Sequence, residues 1–164
     1  MTKIIAHRGA SNLAPQNTKV AFEKAIELGA DGVENDVHLT KDGALVVCHN
    51  YTIDETSDGV GQISDRTLEE LKKFDFGSYF APEFKGEKIL TLDEFLEICR
   101  DLEVINIEIK VPHVKTDDSI VLKTIDCVKK HGLEDNVIFS SFGPELLMES
   151  KRIEPKIKTA LLYD

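Results

Sequence analysis

Short β-like apolar runs alternate along this chain with longer stretches of helical spacing, and that alternation constrains the fold more than any other feature. It is the signature of an α/β architecture built on a largely parallel sheet. The pattern predicts strands near Lys3 to Ala6, Gly32 to Leu39, Ala44 to His49, Val104 to Lys110, Asn136 to Ser140 and Lys158 to Tyr163. A first helix joins strands one and two, capped by Asn17 or Thr18, with Ala21, Phe22, Ala25, Ile26 and Leu28 on its apolar face and Gly29 as its exit. Further helices are expected at Thr67 to Phe74, Leu92 to Leu102, Ser119 to Lys130 and Pro144 to Arg152. Residues 50–90 break the rhythm, being first polar and glycine-bearing and then aromatic without a period. Long excursions of this kind are commonly lids or small subdomains set over a site.

With 164 residues, 41% of them hydrophobic, the chain suits one domain with a sizeable core. A net charge of -10 argues against non-specific binding to nucleic acid or acidic membranes, so a bound phosphate must be met locally by a metal or a few placed cations. Neither a signal peptide nor a membrane span is legible, which makes a cytoplasmic location the expectation. Cys48, Cys99 and Cys127 are odd in number and lack metal-ligand spacing, so they read as reduced thiols, Cys48 as a packing residue of its strand.

The segment VENDVHLTKDGALVVCHN carries a hairpin signal, two alternating runs around a Lys-Asp-Gly turn. On the first run Glu34, Asp36 and His38 share one face, and Val33, Asn35 and Val37 share the other. Whether the two-residue loop is Lys41-Asp42 or Asp42-Gly43, cross-strand partners have odd-sum numbering, and His49 falls opposite Glu34 or Asp36. In VINIEIK, Ile105, Ile107 and Ile109 alternate with Asn106, Glu108 and Lys110, which puts a third carboxylate and an ammonium on one strand face. Three carboxylates on interior strands repel one another unless neutralised, and a hard divalent cation is the economical neutraliser. His7 stands where strand one ends, followed by Arg8, suited to an anionic oxygen pair, and Gly9, which permits close backbone approach.

In order and spacing, AHRGASNLAPQNT, GADGVENDVHLTKDGALVVCHN, LTLDEFLE and INIEIK resemble the glycerophosphodiester phosphodiesterase family of metal-dependent TIM-barrel hydrolases. The resemblance spans essentially the whole chain and implies a (β/α) barrel with a small insertion at 50–90. It also implies hydrolysis of glycerophosphodiesters to glycerol 3-phosphate and an alcohol. Carried over position by position, it makes His7 and His49 the catalytic acid and base, Glu34, Asp36 and Glu108 the ligands of a divalent metal (calcium or magnesium), and Arg8 and Lys110 the phosphate contacts. A phospholipase D of similar fold shares these residues but has a reduced insertion. A catalytically weakened relative or fragment that binds a phosphorylated ligand or partner is the other alternative.

Several positions depart from the family pattern. Gln16 stands where a Pro-Glu-Asn-Thr motif has glutamate, Asn50 where aspartate follows the second histidine, and Glu55 where an arginine is common. Leu90 replaces a frequent proline, and Asn35 occupies a normally apolar position. A closed barrel needs eight strands over about 250 residues, whereas this chain supplies about six. The expectation is an incomplete barrel, C-terminally truncated, with exposed strand edges that favour a homo-oligomer.

Overall fold

The structure, a computed structural model, describes residues 2–113 and 119–163. Seven strands form one open sheet: β1 (Ile5–His7), β2 (Gly32–Leu39), β3 (Leu45–Val47), β4 (Leu90–Thr91), β5 (Val104–Ile109), β6 (Val137–Ser141) and β7 (Lys158–Leu161). Their order is β4-β3-β2-β5-β6-β7, with β1 also paired to β2. The parallel set is β1, β2, β5, β6 and β7, and β3 and β4 join it antiparallel. Of the six expected strands, the one at 44–49 is thus the return arm of a hairpin rather than a barrel stave. β4, only two residues long, has no periodicity that could announce it.

Among the described residues five α-helices are interspersed with the strands: α1 (Lys19–Glu27), α2 (Leu68–Leu71), α3 (Leu92–Cys99), α4 (Ile120–His131) and α5 (Pro144–Ile153). Thr18, rather than Asn17, caps α1 by accepting from the Ala21 N–H. Thr91 closes a reciprocal capping box with Glu94 at α3, and Gly132 in the left-handed conformation ends α4. The helix expected over 67–74 is a single turn, also held by a capping box, between Thr67 and Glu70.

Period-two alternation sorts the sheet into two faces. Val33, Val37, Ile105, Ile107, Ile109, Val137 and Phe139 are fully buried against Phe22, Phe95, Leu96, Val121, Ile125 and Val128 of the helices. A second apolar cluster joins Ile53, Ile63, Leu71, Phe76 and Ile89 of the excursion at 50–90 to Val46 of β3 and to Cys48. That segment thus packs around a separate apolar cluster on one side of β3. Cys48 packs there, one residue past β3, and burial pushes its thiol up to about 11. Leu90 pairs with Val47 and is buried in the main core. No helix among the described residues is long and apolar enough to cross a membrane.

The hairpin register differs from expectation. Val37 pairs with Val47, His38 with Val46 and Leu39 with Leu45, so partner numbers sum to an even value. The cause is the turn: the Thr40 N–H bonds Ala44 O and the Gly43 N–H bonds Thr40 O, with Gly43 at φ 75°. This is a three-residue loop closed by a glycine bulge, and the extra residue shifts the register by one. His49 is consequently opposite neither Glu34 nor Asp36. Pairing of β3 ends at Val47, with the Cys48 N–H still reaching Asp36 O at 3.0 Å.

Candidate active site

The parallel register of β2 and β5 sets Asp36 beside Glu108 and Glu34 beside Asn106. Glu34, Asp36 and Glu108 each offer a carboxylate oxygen, and these oxygens lie within 4.8 Å of one another on the buried polar face. Such proximity is costly for like charges. Burial and the neighbouring Asp36 push Glu34 up to about 8. Burial also raises Glu108, against the pull of Lys110. For Asp36 burial is outweighed by the Lys110 ammonium and the Asn17 amide, which hold its carboxyl below the usual range.

Among the described residues, Lys110, just past the end of β5, is the cation nearest this cluster. Its Nζ lies 2.9 Å from Asp36 Oδ1 and 2.6 Å from Glu108 Oε1. Although burial opposes its charge, these two carboxylates hold it above the ordinary lysine value. An all-oxygen donor set with two raised carboxyl groups suits a hard divalent cation, and Asn17 Oδ1, buried without a partner beside Asp36, adds one more oxygen to the wall.

The chain leaving β1 forms the opposite wall. His7 pairs in register with Glu34, and its Nε2 lies 3.7 Å from Glu34 Oε2. Arg8 takes a positive φ of 59°, which aims its N–H at both Glu34 O (3.0 Å) and Glu34 Oε2 (3.1 Å). Gly9 follows at φ 78°, where a Cβ would stand 2.7 Å from the Ala21 backbone carbon, so only glycine fits. The Arg8 side chain comes within 3.6 Å of Asp36 Oδ2 and donates from Nη1 to Gln16 Oε1 at 2.8 Å. Gln16 thus keeps the hydrogen bond a glutamate would make while removing its charge. Its own N–H donates to the Tyr79 hydroxyl oxygen, a contact from the 50–90 subdomain.

Sequence reasoning missed Asn17 as a site residue. At φ 59° it donates from Nδ2 to Asp36 Oδ2 at 2.9 Å, and its N–H returns to Arg8 O. The available signal was an asparagine, tolerant of the left-handed region, just ahead of a helix cap. Partial burial and the nearby Arg8 lower the His7 pKa.

His49 arrives by a route other than strand pairing. His38 Nε2, on a ring that burial pushes down to about 4, sits 3.3 Å from the His49 carbonyl. His49 lines a cleft of about 580 Å³ together with Asn50, Tyr51, Glu55, Glu108 and Lys110. Tyr51 stacks on His113 at 3.5 Å between ring centroids and donates its hydroxyl to Val111 O. His7, Arg8 and Lys110 thus lie beside the three carboxylates, and His49 lines the cleft that Glu108 and Lys110 also line.

The sequence profile of the Glycerophosphoryl diester phosphodiesterase family matches residues 7–164. A glycerophosphodiester phosphodiesterase of Caldanaerobacter subterraneus is 47% identical over 163 residues, covering 99% of this chain and 67% of the relative. Among solved structures, an Oleispira antarctica phosphodiesterase in complex with the product sn-glycerol-3-phosphate superposes with TM-score 0.91 at 33% identity, over 98% of this chain and 66% of that one. A glycerophosphodiester phosphodiesterase from Agrobacterium tumefaciens gives TM-score 0.89 at 33% identity, over 97% and 66%. The chain spans about two thirds of the length of these relatives. With its family profile, fold and convergent polar face in agreement, the chain belongs to the glycerophosphoryl diester phosphodiesterase family, a family of phosphoric diester hydrolases.

Proposed function

We propose that this chain hydrolyses glycerophosphodiesters to glycerol 3-phosphate and a free alcohol, with Glu34, Asp36 and Glu108 holding a divalent cation, calcium or magnesium. The observation that carries the proposal is the meeting of three buried carboxylate oxygens within 4.8 Å, a cost that a structural role does not repay. When bound, the cation would neutralise that cluster and offset charge developing on a phosphoryl oxygen.

The chain's own residues account for the remaining chemistry. The Arg8 guanidinium and Lys110 ammonium lie beside the carboxylates, where a phosphate's nonbridging oxygens would need donors. His7 and His49 share the proton work: one imidazole takes a proton from the attacking oxygen, and the other gives one to the departing alcohol, each step worth roughly 10²- to 10⁴-fold in rate. The lowered pKa of His7 keeps its ring neutral near pH 7 and suits it to the base role. The 50–90 subdomain, with its separate apolar cluster, favours a glycerophosphodiester over the substrates of phospholipases in which this insertion is reduced.

The test is release of glycerol 3-phosphate from glycerophosphocholine, measured with calcium or magnesium and again with a chelator. Turnover that needs the metal and disappears in His7→Ala and His49→Ala supports the proposal. Binding of glycerol 3-phosphate with no turnover under any metal would replace it with a phosphate-binding role.

A further inference from the structure

Two departures from the family pattern meet in one hydrogen-bonded chain. His49 Nδ1 lies 2.7 Å from Asn50 Oδ1, and Asn50 Nδ2 donates to Glu55 Oε2 at 2.8 Å. All three residues line the same cleft, Glu55 at its exposed rim. An ionised carboxylate can only accept a hydrogen bond, so it draws the N–H₂ end of the Asn50 amide toward itself. The amide oxygen, also an acceptor only, is then left facing Nδ1 of His49. For that 2.7 Å contact to be attractive, Nδ1 must carry a proton.

We propose that Glu55, acting through Asn50, selects the Nδ1–H tautomer of His49 and so reserves Nε2 for proton exchange in the cleft. Glu55 and Asn50 are positioning residues, since neither needs to touch the reacting atoms. In the neutral ring Nε2 holds the lone pair, and in the charged ring it holds the proton to be given, so one nitrogen serves both directions. The catalytic consequence rests on the proton-transfer role proposed above for His49. The tautomer itself does not.

The experiment is long-range proton–nitrogen NMR of the histidine rings in the full chain, at a pH where the ring is neutral. In the wild type the lone-pair nitrogen of His49 should be Nε2. In Glu55→Arg the guanidinium can only donate, so the Asn50 amide turns over, presents N–H₂ to His49 and moves the lone pair to Nδ1. The double variant Asn50→Asp/Glu55→Arg should return it to Nε2. Glu55→Ala, which only trims an exposed side chain, should give a mixture of tautomers and guards against a folding defect in the arginine variant. A wild-type lone pair on Nδ1, or a single unchanged tautomer in both Glu55→Arg and Glu55→Ala, overturns the proposal. In turnover assays Glu55→Arg should lower kcat at least tenfold with little change in KM, and the double variant should recover it. If the tautomer inverts as stated while kcat holds, the positioning chain stands and the assigned role of His49 in hydrolysis fails.

Discussion

Asn35 and Asp36 are neighbours on β2, both 0% exposed, and they meet opposite fates. Asp36 points into the polar face, where Lys110, Arg8 and Asn17 surround it. Asn35 points into the apolar face beside Ile107, and neither atom of its amide finds a hydrogen-bond partner. Equal burial thus carries unequal cost, because a partnered charge is tolerated where an unpartnered amide is not. The contrast separates what the molecule keeps for its site from what it merely endures.

The largest expected effect comes from breaking the satisfied side. Asp36→Ala leaves Lys110 and Arg8 without their shared carboxylate and should destabilise the chain by about 3–5 kcal/mol, the range for removing one member of a buried ion pair. Denaturant unfolding reads it, and a loss under about 1 kcal/mol would mean that the cluster is not held together by Asp36.

The same cluster should make stability depend on pH. Glu34 is raised from 4.5 to about 8, so the folded chain keeps a proton that the unfolded chain releases. Its contribution is full below pH 4.5 and is lost as pH climbs toward 8, a window in which Glu108 acts in the same sense. Below pH 6.5 His38, lowered from 6.5 to about 4, and His7, also lowered, act in the opposite sense, so thermal melts of the metal-free chain should show Tm falling between pH 6.5 and 8, and added calcium or magnesium should flatten the slope. A Tm that rises over the same range contradicts the assignment.

Asn17→Ala removes a hydrogen bond to a charged carboxylate and should cost about 1.5–3 kcal/mol. Asn17→Gly relieves the φ of 59° yet loses the same bond, so the difference between the two variants isolates backbone strain. The smallest effect has the opposite sign: Asn35→Val should stabilise by about 1–2 kcal/mol, on the low side of the cost of an unsatisfied buried group. A destabilised Asn35→Val would show that the amide has a partner, such as a buried water.

Much of this site was readable in advance because period two is a strict rule. Glu34 and Asp36 had to share a face, and so did Glu108 and Lys110. Their convergence also needed β2 and β5 to be neighbours, which the pattern left open and the sheet order supplies. The hairpin register was not readable in the same way, since Lys-Asp-Gly fits a two-residue turn as well as a bulged loop, and one residue decides which side chain His49 faces. Asn17 was hidden by the ambiguity of asparagine before a helix, where a cap and a site ligand look alike. The subdomain core escaped periodicity, because Ile53, Ile63, Leu71, Phe76 and Ile89 come from loops, a three-residue 3₁₀ helix and a one-turn α-helix rather than from a long regular element.

β3 is only three residues long, yet Val46 is packed in one core and Val47 in the other. It acts as a party wall. Loosening the subdomain would strip one side of that wall and, two residues downstream, release the turn that carries His49. Any opening of the 50–90 region would therefore reach the placement of a ring nitrogen, through a strip of backbone only three residues long.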